Sequence, residues 1–461
     1  MLALIAVGSV SACRRARLSH GDGASVVVVA PRSDAAPARR LAEREPNDSP
    51  EQAQLLVLNA EWPVIDVEGS LSSQSDPTAS RDVDVFKLQI PGSAGGHDRS
   101  PSRDSAQPED PRWTARRLIL DIAPESGASV TLQILDDDLK VLEAVTAENG
   151  EPAGMPNMAA QPGRFYYFRV KAFSKSGKSA EPPVPCRYKL SVQLSDFEVA
   201  DEREPNDSME AAETTVMGGM AELAGLYGWQ HDQDFYRLPA PEVASALDVV
   251  LDGVEGVTPG LQVLAGGGSR LAIAKGRKGE KLSLHNVRIG AGAVDAGADS
   301  RFFYVMVRSE AGQNRGQRYV LHLSLGAFMQ DAEIEPNDAP ANATPVHDGT
   351  TLGFLPAGDV DYFLYDSGEP REISVEVSFP GHLRGKVEVS RARKAGIVVS
   401  AETKKPHQQV ELSRIANLGE PLLLRIAPVK GDGNANEPYT VRISSAPPSG
   451  DGQIPQIRLP P

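Results

Sequence analysis

A chain of 461 residues is too long for one compact core, so about three domains of about 100 to 150 residues are expected. Its formal net charge of -15 argues against nucleic-acid binding, because phosphate backbones attract clustered Lys and Arg. Only 5% of the residues are aromatic, whereas 42 are Gly and 36 are Pro, which favours short strands and turns over long helices. The composition therefore predicts an all-β protein.

The amino end has the features of an export signal. Residues 1–12 form an apolar run that ends in small residues directly before Cys13. The tetrad Val10-Ser11-Ala12-Cys13 resembles the lipobox of bacterial lipoproteins, which implies that Cys13 is lipidated and becomes the new N-terminus. We expect a cell-envelope protein, either an outer-membrane lipoprotein or periplasmic, with secretion as the alternative. No basic residue precedes the apolar run, so the true start codon is expected upstream.

Residues 13–42 follow the signal and are rich in Ala, Arg, Ser, Gly and Pro, a composition typical of a flexible tether. No later stretch of 18 apolar residues occurs, so the membrane would be reached only through the lipid anchor. If Cys13 is not lipidated, a disulfide with Cys186 is the alternative.

Internal repeats are the strongest signal in the chain. The segments Glu43–Asp48, Glu202–Asp207 and Glu333–Asp338 all read Glu-x-Glu-Pro-Asn-Asp and match at five of six positions. We call each an entry motif. Each is followed by a Gly-led apolar pair, then by an Asp-x-Asp with aromatic residues close behind, and finally by paired strand-like segments of period two.

The repeats divide the chain into three predicted β-sandwiches of seven or eight short strands each. Their expected bounds are 43–197, 202–328 and 333–446. Residues 92–115 are polar and poor in aliphatic side chains, so they are expected to be a disordered insertion in the first sandwich. Residues 447–461, rich in Pro and Gly, are expected to be a flexible tail.

The order of these motifs resembles the bacterial pre-peptidase C-terminal domain, and it is similar to the collagen-binding modules of clostridial collagenases. The resemblance covers nearly all of the chain after residue 42. It implies three tandem jelly-roll-like β-sandwiches of a secreted type, and calcium bound by the acidic opening segment and the Asp-rich loop. Those domains usually trail a peptidase, whereas here we expect no attached enzyme, so the sandwiches themselves are expected to be the functional part.

The residues themselves also suggest a calcium site at each entry motif. The two Glu of a motif project to the same side of an extended segment, and the following Asn and Asp can turn their oxygens back toward them. Calcium takes six to eight such hard oxygen ligands, and so many carboxylates without a cation would repel one another. The predicted ligands are Glu43, Glu45, Asn47, Asp48, Asp82 and Asp84; Glu202, Glu204, Asn206, Asp207, Asp232 and Asp234; and Glu333, Glu335, Asn337, Asp338, Asp359 and Asp361.

The alternative for these residues is that Asn and Asp make an Asx-turn or cap a helical turn while the Glu side chains are solvated. Asp136–Asp138 is interpreted as a solvated hairpin turn. His231, beside Asp232, has no counterpart in the other repeats and is interpreted as an ordinary loop residue.

No motif of a zinc protease, an α/β-hydrolase elbow or a phosphate-binding loop occurs in the sequence. We therefore predict a non-catalytic binding or structural protein whose sandwiches contact an unidentified polymer or protein outside the cytoplasm. The alternative is a hydrolase or peptidase accessory protein in which one divergent copy has acquired a site.

Overall fold

The computed structural model describes residues 38–59, 61–72, 82–91, 115–173, 186–197, 201–290, 301–429, 433–448 and 455–459. The signal segment, Cys13 and nearly all of the predicted insertion lie outside these residues. Ala36–Pro461 form one compact unit. Among the described residues, no helix is long and apolar enough to cross a membrane.

The described chain is built from strands, with one short 3₁₀ helix at Pro340–Asn342. Three consecutive groups of strands form three β-sandwiches. Sandwich 1 contains β1 (Ala38–Ala42), β2 (Gln54–Leu56), β3 (Val64–Leu71), β4 (Val83–Gln89), β5 (Arg116–Pro124), β6 (Val130–Leu135), β7 (Val141–Ala147), β8 (Ala153–Ala160), β9 (Phe165–Ala172) and β10 (Cys186–Ser195).

Sandwich 2 contains β11 (Glu213–Thr214), β12 (Met220–Tyr227), β13 (Gln233–Pro239), β14 (Ser245–Leu251), β15 (Thr258–Ala265), β16 (Arg270–Lys275), β17 (Leu282–Ile289), β18 (Phe302–Ala311) and β19 (Asn314–Gly326). Sandwich 3 contains β20 (Thr344–Val346), β21 (Gly349–Leu355), β22 (Asp361–Tyr365), β23 (Pro370–Ser378), β24 (Gly385–Arg391), β25 (Lys394–Glu402), β26 (Gln409–Leu418), β27 (Leu422–Pro428), β28 (Asn434–Ala446) and β29 (Gln456–Arg458).

All three sandwiches share one strand order. In sandwich 1 the sheets run β3-β10-β5-β8 and β4-β9-β6-β7. Sandwich 2 has β12-β19-β14-β17 and β13-β18-β15-β16, and sandwich 3 has β21-β28-β23-β26 and β22-β27-β24-β25. Without the short strands β1, β2, β11, β20 and β29, each sandwich has eight strands, which we call its main strands and number in chain order. Their order is first-eighth-third-sixth in one sheet and second-seventh-fourth-fifth in the other, which is the double Greek key of a jelly roll. The predicted all-β fold of jelly-roll-like sandwiches is confirmed.

Each pair of sheets encloses its own apolar core. Strand β10 shows the pattern that builds it, since Tyr188, Leu190 and Val192 are buried while the residues between them are less buried. Two apolar side chains cross the boundaries: Trp229 of sandwich 2 belongs to the core of sandwich 1, and Ala435 of sandwich 3 belongs to the core of sandwich 2. Neighbouring sandwiches are therefore packed against each other.

Two short strands differ from the sequence interpretation. Ala38–Ala42, assigned above to the end of the flexible tether, pairs in parallel with β3 as β1. Gln456–Arg458, assigned to the flexible tail, pairs with β26 as β29. In both cases the hydrogen-bonding partner is an existing sheet edge distant in sequence, so local composition carries no signal for the pairing.

Candidate metal centres

The three entry motifs occupy the same place in their sandwiches. In each motif the first Glu donates its backbone N–H to the strand that carries the Gly-led pair: Glu43 to Glu68 at 3.0 Å, Glu202 to Ala224 at 3.0 Å, and Glu333 to Leu352 at 2.9 Å. The Glu-Pro peptide bond is cis in all three motifs. The carbonyl group of the motif Asn accepts from the N–H of Val85, Phe235 or Tyr362, so each motif lies beside the Asp-x-Asp at the start of the second main strand.

Carboxylates of each motif converge with those of its Asp-x-Asp. In each of three groups the oxygen atoms lie within 4.8 Å of one another: Glu43, Glu45 and Asp84; Glu204, Asp207 and Asp232; and Glu333, Glu335 and Asp361. Calcium binds oxygens at about 2.3 to 2.6 Å. Two oxygens on opposite sides of one ion are therefore separated by about twice that distance, and the oxygens of each group lie within this range. Asp136–Asp138 form a fourth acidic group, which lies in the hairpin turn between β6 and β7 as predicted.

Backbone N–H groups hold both Glu side chains of each motif. The first Glu accepts from the residue after the Gly of the Gly-led pair: Ser70 N lies 2.9 Å from Glu43 Oε1, Leu226 N lies 2.7 Å from Glu202 Oε1, and Phe354 N lies 2.6 Å from Glu333 Oε1. The second Glu accepts from the motif Asn at 3.0, 2.6 and 2.7 Å in sandwiches 1, 2 and 3. These bonds fix the carboxylates in place.

A tyrosine from the last main strand contacts the second Asp of each Asp-x-Asp. The hydroxyl oxygens of Tyr188, Tyr319 and Tyr439 lie 2.5, 2.7 and 2.5 Å from Oδ2 of the respective Asp. Each ring also lies over the Gly of the Gly-led pair, where an added Cβ would overlap the phenol. The Gly of each repeat is therefore explained by the close approach of its Tyr.

Several oxygens of these clusters are buried without a hydrogen-bond partner. A buried polar atom left in this way costs about 1 to 3 kcal/mol. The unpartnered oxygen atoms are Glu43 Oε2, Glu204 Oε1, Asn206 Oδ1, Asp232 Oδ1, Asp234 Oδ1, Asn337 Oδ1 and Asp361 Oδ1. All are potential ligands of a hard cation.

Burial raises the pKa of at least one carboxyl group in each cluster. It raises the pKa of Asp84 to about 8, and the nearby Glu43 carboxylate adds to the effect. The pKa of Glu204 is raised well above its usual value by burial and then by Asp207. The pKa of Glu333 is raised in the same way by burial and by Glu335. A bound cation would counter both causes, because it offsets the lost solvation and the mutual repulsion.

Further hydrogen bonds hold Asp residues of each set. Asp82 accepts from the backbone and the hydroxyl of Ser72, and Gly228 N lies 2.6 Å from Asp232 Oδ2. Asp359 accepts from the N–H of Val360. The last Asp of the first two motifs, Asp48 and Asp207, accept from the residue between the paired Asp at 3.3 and 3.1 Å. The predicted residues of each set are thus neighbours, and three carboxylates of each set form the cluster itself.

We number the clusters of sandwiches 1, 2 and 3 as centres 1, 2 and 3. They differ in their surroundings. Glu45 is exposed, whereas its equivalents Glu204 and Glu335 are 1% and 7% exposed because the preceding sandwich covers them. At centre 2, Glu143 of sandwich 1 further raises the pKa of Asp207. At centre 3, Arg270 of sandwich 2 lies 3.8 Å from Asp338. The preceding sandwich therefore contributes an acid, Glu143, to centre 2 and a cation, Arg270, to centre 3.

A cavity adjoins centre 3 where sandwich 3 packs against sandwich 2, at what we call the second junction; the first junction joins sandwiches 1 and 2. It is lined by His285 and Phe354, whose rings are 4.3 Å apart, and by Glu333, Glu335 and Asp359. The Nδ1 atom of His285 lies 3.4 Å from a carboxylate oxygen of Asp248. His231, by contrast, lies exposed in the turn before β13, as predicted.

Sequence reasoning missed the tyrosines and the residues that sandwiches 1 and 2 contribute to the next centre. Tyr188, Tyr319 and Tyr439 lie in the last main strand of each repeat, so their recurrence was a usable signal. Asn157, which donates its side-chain amide to Glu202, and Glu143 recur in no motif. Only the packing of one sandwich on the next identifies them.

No family model and no curated protein matches the chain. Among solved structures, it is similar to one of Sulfolobus Turreted Icosahedral Virus, with 10% identity over 84% of this chain and 91% of that chain and a TM-score of 0.18. It is also similar to the CUB1-EGF-CUB2 domain of human MASP-1/3, with 9% identity over 56% and 99% and a TM-score of 0.17. It is also similar to the PBSX exported protein XepA, with 11% identity over 56% of this chain and 94% of that chain and a TM-score of 0.15. These similarities carry no argument about function.

Proposed function

We propose that this chain is a non-catalytic, exported protein in which calcium ions at the three entry motifs hold jelly-roll sandwiches in a fixed line. The sandwiches would bind a polymer or protein outside the cytoplasm, and Cys13 would attach them to the cell envelope. The observation that carries this proposal is the recurrence of buried, unpartnered carboxylate oxygens at the entry of every sandwich.

Calcium suits these centres better than a transition metal. Their side-chain donors are carboxylates and an amide, which are hard oxygen ligands, and no Cys or His belongs to any of the clusters found among the described residues. Two centres lie at junctions between sandwiches, so an ion there would stabilise the entry motif together with the neighbour that covers it. Such an ion would favour one relative orientation of the two sandwiches.

The calcium proposal is tested with the full chain after removal of metal. Adding calcium should raise the melting temperature, because a ligand that binds only the folded state stabilises it. Calorimetric titration should show a set of sites that loses one member in the double variant E335Q/D361N. The matched control is D136N/D138N in the exposed hairpin turn, which should retain every site. A melting curve that calcium leaves unchanged would sink the proposal.

Attachment to the envelope is tested separately by fractionation. The chain expressed in a Gram-negative host should partition with membranes, and Cys13→Ser should move it to the soluble extracytoplasmic fraction. Cys186→Ser is the matched control, since Cys186 is buried in the core of sandwich 1. Membrane association that survives Cys13→Ser would contradict lipidation.

The hydrolase-accessory alternative has its best location in the cavity at the second junction. His285 and carboxylates meet there, but those carboxylates belong to the repeated set, which favours a metal centre. A hydrolytic activity on peptide substrates that disappears in His285→Ala, while stabilisation by calcium persists, would favour the alternative.

A further inference from the structure

The two junctions use the same docking geometry. At the first, Ala159 N donates to Glu204 O at 2.8 Å and Glu204 N donates to Asn157 O at 3.1 Å. At the second, Arg288 N donates to Glu335 O at 2.8 Å and Glu335 N donates to the Asn286 carbonyl at 3.3 Å. In both, the sixth main strand of one sandwich receives the entry motif of the next as a parallel bridge.

The receiving strands share a β-bulge. Register shifts interrupt the pairing of β5 with β8 beside Asn157 and the pairing of β14 with β17 beside Asn286. Bulges bend an edge strand and re-aim its side chains. The bulge and the outward-facing N–H and C=O next to it form what we call the receiving edge.

Sandwich 3 carries the same receiving edge on β26. A register shift lies between its partners Ile373 and Val375, and Arg414 has a φ of 58° where the equivalent Asn286 has 55°. Arg414 and Ala416 correspond to the acceptor and donor residues of the second junction. Ala416 is exposed, and Leu418 at the end of the strand is 60% exposed.

The complementary surface lies at the entry of sandwich 1. Glu45 is exposed, and within the described part of the chain no strand edge hydrogen-bonds to its backbone. Charge also matches. At the first junction the Asn157 amide contacts Glu202, the first Glu of the incoming motif. In sandwich 3 the equivalent position is the cation Arg414, and the first Glu of the exposed motif is Glu43.

We propose that the receiving edge at Arg414–Ala416 binds the entry motif of a second copy of this chain, so that copies associate head to tail. The contact repeats one that the chain makes twice internally, and it joins two different surfaces, so it can extend into a line of copies. This goes beyond the proposed function, because it requires neither bound metal nor an external ligand.

Strand β29 limits this association. It pairs with Glu411–Ser413, directly before the receiving residues. At the second junction the equivalent stretch begins at Ser283, whose hydroxyl contacts Asn436 of the incoming sandwich at 3.2 Å. β29 therefore covers part of the area that an incoming sandwich needs, as short edge-covering strands do in other sheets. Its three residues are exposed, and Leu459 directly after them packs against the core of sandwich 3.

Sedimentation velocity on the chain shortened to end at Ala446 tests both parts. The shortened chain should associate increasingly with concentration, whereas the full chain should remain at the monomer mass until higher concentrations. A shortened chain that stays monomeric over the whole range overturns the receiving edge. If both chains associate equally, the capping role of β29 is wrong and the edge stands.

A mixing experiment identifies the two surfaces. In the shortened chain, R414E removes the receiving edge and E43R removes the entry surface, so each variant alone should be monomeric. Their equimolar mixture should associate like the parent, because every junction between unlike variants pairs an acidic with a basic side chain. The control R442E, at an exposed position on β28 of the same sheet, should associate like its parent.

Any other result of the mixture overturns the head-to-tail contact. If E43R lowers the melting temperature of sandwich 1, E45R serves as the second entry variant, since Glu45 is exposed. Both variants are measured in metal-free buffer. Failure of calcium binding would therefore leave this result unchanged, and the two proposals can fail independently.

Discussion

The hydroxyl group of Tyr439 donates a 2.5 Å hydrogen bond to Oδ2 of Asp361, and both side chains are buried. Tyr188 and Tyr319 make the same contact with Asp84 and Asp234. The last main strand of each sandwich is thereby bonded to the acidic centre at its entry. The order of the centre and the closure of the sandwich are coupled through one phenol.

Replacing Tyr439 by Phe should destabilise the protein. The change removes the donor and leaves Asp361 with a second unpartnered oxygen, for a loss of about 2 kcal/mol of unfolding free energy. Urea unfolding followed by circular dichroism measures it. Tyr362→Phe is the matched control in the same sandwich, because the Tyr362 side chain is only partly buried, and it should stay within about 0.5 kcal/mol of the parent. Equal losses would contradict the role of the Tyr439 hydroxyl.

Gly225→Ala should be more damaging than its size suggests. An added Cβ would overlap the Tyr319 hydroxyl and the Glu202 carboxylate, so the backbone would have to shift. We expect this shift to lower the free energy of unfolding by about 3 kcal/mol. Gly326→Ala is the control, since nothing lies within 4 Å of a Cβ at that position. The comparison is a pair of urea unfolding curves, and similar midpoints would show that the ring can move aside.

Asp201→Asn should weaken the first junction. The buried carboxylate of Asp201 lies 2.8 Å from Arg318 of sandwich 2 and 3.5 Å from Arg117 of sandwich 1. Neutralising this buried carboxylate removes the charge to which both partly buried cations are bonded, with an expected loss of about 3 kcal/mol. Asp196→Asn is the control because its bond to Arg116 is exposed, and such pairs contribute at most about 1 kcal/mol. Thermal unfolding should separate the two variants clearly.

The metal-free protein should lose stability as the pH rises from about 5 to about 9. Folding raises the pKa of Asp84 to about 8 and that of Asp207 to about 9, so the folded state favours their protonated forms. That contribution is fully present below the unfolded pKa values and is lost as the pH passes the folded ones. Because calcium binds the ionised forms, its stabilising effect should grow over the same window. Melting temperatures measured with and without calcium test this, and a metal-free melting temperature that does not fall with pH would contradict it.

The repeated parts of the molecule were predictable from sequence. Period-two alternation predicted strands such as β10 and β19, and the repeated motif placed the acids of each sandwich beside one another. The signal was sufficient because each pattern occurs three times and depends on local spacing. Calcium at these acids stays a prediction.

The junctions were not predictable in the same way. Asn157 and Asn286 are single residues within strands, and their importance depends on which edge the next sandwich meets. β29 has only three residues in a Pro- and Gly-rich tail, and it becomes a strand because β26 offers an open edge. Such pairing is decided by tertiary contacts rather than by local preference.

Each of the three units carries both halves of a junction, an entry motif at its start and a bulged strand further on. A gene that duplicated one such unit would add a sandwich whose two ends already fit its neighbours. The array could then lengthen or shorten by whole units without new surfaces having to evolve.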